Sequence, residues 1–172
     1  MRLSALLIAW FLVLPLSAEE QPPAPVQPAP CAAPEYRQFD FWIGDWEVFD
    51  PNGKRVGENR IEAILGGCVL KENWTSASAN HGESFNIYDA RRKIWHQTWV
   101  DNSGSLLQIE GGLRGGAMVL SQQVQGADGQ TVTHRITWTP DDDGSVRQHW
   151  QSKSGDADWQ TLFDGRYRKK TG

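Results

Sequence analysis

The sequence predicts an all-β fold, a single antiparallel up-and-down barrel of about ten strands. Three observations carry this. No segment after Val48 sustains a helical apolar period. Short runs rich in Trp, Val, Ile, Thr and Phe recur instead, at roughly 8–14-residue spacing. Between them lie explicit turn signals whose residues tolerate positive φ or bond their own backbone, such as Pro51-Asn52-Gly53, Gly66-Gly67, Asp101 to Gly104 and Asp143-Gly144. So many short strands in one chain tend to curl and close, which removes exposed edges.

Taken in order, a short helical turn is expected around Glu35–Phe41. Strands follow near 43–50, 57–65, 68–76, 83–89, 93–101, 104–111, 116–125, 130–138, 145–152 and 158–168. Ahead of them, Arg2 and the apolar run from Leu3 to Leu16, followed by Ser17 and Ala18, read as a signal peptide over 1–18. The run is too short and poorly flanked for a membrane span, so no transmembrane helix is expected after cleavage. Residues 19–35 hold six of the nine prolines and read as an extended, solvated leader. The remaining 36–170 is one domain's worth of chain.

The predicted location is the periplasm or the exterior. There, the only two cysteines, Cys31 and Cys68, are candidates to pair. The alternative leaves Cys31 exposed and Cys68 in the core. Cleavage would remove Arg2 and no acid, taking the formal charge from −4 to −5. An acidic chain lacks the basic stripe that nucleic acid requires.

Strand alternation assigns faces. Across the Thr139–Gly144 turn, Val132, His134, Ile136 and Trp138 match Val146, Gln148 and Trp150, which sends His149 outward. Across the 101–104 turn, one face carries Trp95, Gln97, Trp99, Leu106, Gln108 and Glu110, a polar-aromatic wall. The other carries Ile94, His96, Thr98, Val100, Leu107 and Ile109.

Four segments together carry a resemblance: F-D-F-W-I-G-D-W at 39–46, W-H-Q-T-W-V-D at 95–101, R-I-T-W-T-P-D-D-D-G at 135–144 and F-D-G-R-Y at 163–167. The chain from about Arg37 to Lys169 resembles a family of bacterial secreted domains of unknown function. That family is similar to the lipocalin and fatty-acid-binding (calycin-type) barrels. The resemblance implies a lipocalin-like barrel and transfers no catalytic residue. Its Gly44-Asp45-Trp46 is similar to the lipocalin G-x-W. This implies that Gly44 admits the chain tightly, Trp46 crosses the barrel floor, and Arg166 or Arg168 stacks on it.

The functional expectation is a small, partly apolar ligand held in the interior. Its candidate lining is Trp95, Gln97, Trp99, Gln108, His134, Gln148 and Trp150. Tryptophans would supply contact area, and the amides and imidazole would fix orientation. One alternative is a barrel isomerase, cyclase or hydrolase with Glu110 or His134 as acid–base. Another is an envelope interaction module tethered by the leader. The four histidines lack the convergent spacing of a metal site, and no cofactor is expected. Haem binding stays open, with no histidine marked as its ligand. Asp141-Asp142-Asp143-Gly144 lacks the alternation of a calcium loop and reads as a hairpin turn.

Overall fold

The computed structural model describes residues 29–127 and 129–171; the expected signal peptide over 1–18 and most of the expected leader over 19–35 lie outside them. Ten strands follow in chain order: β1 Gly44–Phe49, β2 Arg55–Ile64, β3 Val69–Ser76, β4 His81–Asp89 and β5 Ile94–Asp101; then β6 Leu106–Arg114, β7 Ala117–Gln125, β8 Thr131–Pro140, β9 Val146–Ser154 and β10 Gln160–Lys169. Each pairs antiparallel with its neighbours, and β1 pairs with β10, so the sheet closes into an up-and-down barrel. No described helix is long and apolar enough to cross a membrane.

The two ends differ because the described residues cap one and not the other. Two 3₁₀ turns, Pro34–Arg37 and Asp40–Trp42, stand where the sequence placed a short helical turn. They insert Phe39 and Trp42 into the barrel, both fully buried. Phe39 stacks on Trp42 with centroids 5.0 Å apart and meets Trp138 and Trp95 edge-on at 5.2 and 5.7 Å. Each such aromatic buries on the order of 150–250 Å², so this cluster is the main apolar core. The Cys31–Cys68 disulfide straps the leader to the β2–β3 connection, and Arg37 donates to the Gly67 carbonyl beside it. The strap sits at the same end as the aromatic plug.

At the closed end, Trp46 is fully buried and its indole N–H donates to the Trp42 carbonyl at 2.9 Å. The cation over its ring is Lys169, 4.9 Å from the centroid. This corrects the expectation for Arg166 and Arg168. Tyr167 points inward, so alternation turns both arginines out. Arg166 bonds Asp141 at 2.6 Å and Ser145 at 3.0 Å, while Arg168 lies over Phe49 at 4.9 Å. Gly44, at φ +148°, leaves room for the lysine; a Cβ there would lie 3.2 Å from Lys169 Nζ.

The opposite end is ringed by the β1–β2, β3–β4, β5–β6, β7–β8 and β9–β10 hairpins and is open. Three-residue loops recur there. In one, Asp101 N donates to Ser105 O at 3.4 Å and Gly104 N to Asp101 O at 3.0 Å, with Gly104 at φ +81°. That extra left-handed residue reverses the expected face of β6. Trp99 stands opposite Leu107, Gln97 opposite Ile109 and Trp95 opposite Gly111. Leu107 and Ile109 therefore face inward, and Gln108 and Glu110 face outward. The β8–β9 register keeps the expected faces, with Ile136 opposite Trp150 and Trp138 opposite Gln148.

Ion pairs ring the outer face: Arg55–Glu47, Lys71–Glu83, Arg92–Glu110 and Arg147–Asp164. A lipid-facing wall would carry an apolar band there instead.

Candidate functional site

Between the aromatic plug and the open rim lies a cavity of about 410 Å³, within the roughly 300–1,000 Å³ typical of small-molecule pockets. Its walls are Trp74, Trp99, Trp150, Phe163, Leu107 and Ile136. Its floor is Glu72, Gln97, Gln148 and Tyr167, and Ser76, Asn80, Asp101, Val56 and Leu162 form the rim.

The walls depend on inward glycines. The Trp74 ring covers Gly57 of β2, where a Cβ would lie 2.5 Å from the ring. The Trp99 ring covers Gly82 of β4, where a Cβ would lie 2.2 Å away. No real Cβ tolerates such approaches, so these two glycines let the indoles lie flat along the wall instead of filling the hollow. A bulge in β10 between Thr161 and Phe163 brings both Leu162 and Phe163 to the cavity, against strict alternation.

The floor is a polar network around one buried acid. Glu72 is 4 % exposed. Asn59 Nδ2 donates to its Oε1 at 2.6 Å and Ser84 Oγ donates to its Oε2 at 2.6 Å. Ser84 in turn accepts from Asn86 at 2.9 Å and from Gln97 at 3.2 Å. Asn59 Nδ2 also reaches the Tyr167 hydroxyl at 3.1 Å, and Tyr167 donates to Gln148. Asn59 Oδ1 has no hydrogen-bond partner among the described residues. Burial pushes the Glu72 carboxyl up to about 7, against the opposing pull of the Ser84 and Asn59 bonds. Burial also raises the Tyr167 phenol, and the nearby Glu72 charge adds to this.

Of the residues expected to line the interior, Gln97, Trp99, Gln148 and Trp150 meet at this cavity. Trp95 does not. It is buried in the plug, donating to Gln38 at 3.1 Å. Gln108 is exposed on the outer face opposite Thr98, for the turn reason given above. His134 shares the inner face of β8 but does not line the cavity: its Nδ1 accepts from the Trp150 indole N–H at 3.2 Å, and burial lowers its pKa. Glu110 is not a raised acid. It lies outside the barrel, held in ionised form by the Arg92 guanidinium at 2.8 and 3.0 Å and by His96 at 2.9 Å. Sequence reasoning missed Glu72. The signal available was strand parity, which sets Glu72 in line with Leu70 and Trp74 on an otherwise apolar face.

No protein-family model matches the chain, and no curated protein matches it.

Proposed function

We propose that this barrel is an exported binding protein that holds one small, partly apolar molecule in its interior cavity, entered through the open end. The carrying observation is a hollow walled by Trp74, Trp99, Trp150 and Phe163 above a hydrogen-bonding floor. An apolar wall with a few convergent polar groups is the composition small-molecule sites share. The closed end supports the same reading. Among the described residues the aromatic plug and disulfide strap close the far end, and a preformed cavity lowers the cost of ordering side chains on binding.

The Cys31–Cys68 bond supports export, since such bonds persist in oxidising compartments. The signal segment is read from the sequence, as is kinship with the secreted, lipocalin-like family that the opening motif resembles. The test is saturable quenching of intrinsic tryptophan fluorescence by an apolar ligand, with affinity falling in Trp99→Ala. Absence of saturable quenching by a panel of aryl and alkyl compounds, in a folded protein, would refute it.

A further inference from the structure

We propose that the interior site selects a protonated amine carrying an aromatic or branched apolar body, with the ammonium group against Glu72 and the body between the tryptophans. This names the ligand class for the interior-binding reading and rests on it.

The geometry is one-signed. The cavity has a carboxyl at its floor, Glu72, and another at its rim, Asp101, and no lysine or arginine among its described lining residues. Glu72 is buried with one neutral donor on each oxygen, and no described cation approaches within ion-pair distance. A buried carboxylate in this state lacks the counter-charge that usually accompanies one. An ammonium entering from the cavity side would supply it and add a charge-assisted hydrogen bond.

The other groups that face the site fit. The neighbouring strands present Asn59 from β2 and Ser84 from β4, both neutral. Gln97 from β5, Gln148 from β9 and Tyr167 from β10 line the same floor with amide and hydroxyl oxygens. His134, near the mouth, has its pKa lowered by burial. Asp101 is held ionised by Ser103, with Ser105 and the Trp99 indole N–H also donating to it. An apolar-walled cleft with acids alone focuses a field that draws cations in. Indole faces favour an ammonium beside them as well. A carboxylate ligand would meet Glu72 as a like charge and bind only when one of the two is protonated.

Three probes share an aryl body and differ in the head: 2-phenylethylamine, 2-phenylethanol and 3-phenylpropanoate. Their affinities are read by tryptophan fluorescence and calorimetry on the disulfide-intact protein and on Glu72→Gln. The amine should bind most tightly and lose at least tenfold in Glu72→Gln, because a buried charge pair is broken. In the unsubstituted protein its affinity should fall about 90-fold from pH 8 to pH 5 as Glu72 takes up a proton with a pKa of about 7. Glu72→Gln keeps His134, so the pH dependence left in that variant measures the imidazole's part.

The head-group assignment is overturned if the alcohol or the acid binds as tightly as the amine. It is equally overturned if amine affinity is the same in Glu72→Gln and flat with pH. If none of the three probes binds, the interior-binding reading falls too; alcohol binding without amine preference removes only the assignment.

Discussion

Replacing Glu72 by glutamine should stabilise the empty protein by an amount that grows as pH rises from 4.5 to 8, and change little below pH 4.5. The group's pKa rises from an ordinary 4.5 to about 7 on folding. Between those values the folded state holds a proton that the unfolded state has released, so stability is full below pH 4.5 and is lost as pH rises through 7. At pH 8 the loss is about 3 kcal/mol, from about 1.4 kcal/mol per pKa unit. Glutamine carries no such cost.

The surrounding network can accept it. Turning the Asn59 amide presents its Oδ1 to the new Nε2–H₂ in exchange for the Nδ2 bond to Tyr167, while Ser84 still donates to the glutamine oxygen. Urea unfolding of both proteins at several pH values isolates the effect, because every other titrating group is common to the two. With a urea slope of about 2 kcal/mol per M, the midpoint difference should grow to about 1.5 M by pH 8. A glutamine variant that is less stable at pH 8, or a difference that does not vary with pH, would refute the reasoning.

Other perturbations follow from the same geometry. Gly82→Ala sets a methyl carbon against the Trp99 ring and should cost roughly 1–3 kcal/mol while shifting tryptophan emission, read by thermal melts and spectra; an unshifted Tm and spectrum would count against the flat indole wall. Cys31→Ser with Cys68→Ser opens a loop of 37 residues and should lower stability by up to about 4 kcal/mol, loosening the Phe39–Trp42 plug. Equal denaturation midpoints for oxidised and reduced protein would contradict this. Glu110→Gln removes an outer-face partner of Arg92 and should leave interior ligand affinity within twofold, measured by the same fluorescence titration; loss of binding would reopen the outer face as the site.

The architecture was readable because each strand is bounded by turn residues with a local physical role, and because alternation is a property of the strand itself. The β8–β9 faces followed from matching His134, Ile136 and Trp138 to Gln148 and Trp150. The β5–β6 faces did not, since one added left-handed residue at Gly104 shifts parity and turned Gln108 outward. The stacking cation was misassigned for a related reason: Tyr167 fixes the parity of β10, and only Lys169 at its end returns to the Trp46 side.

Trp95 could not be separated from the lining tryptophans by sequence. It shares their face, and its burial depends on Phe39 and Gln38, which the 3₁₀ turns ahead of β1 bring into the barrel. Glu72 escaped notice because its significance is collective. Asn59, Ser84, Asn86 and Gln97 come from three different strands, and no linear motif records that they converge.

The most direct test is a crystal structure of the protein with 2-phenylethylamine. The account predicts the aryl group between Trp74, Trp99 and Trp150 and the nitrogen within hydrogen-bond distance of a Glu72 oxygen. An interior closed by inward-turned indoles, with the amine seated only on the outer wall, would contradict it.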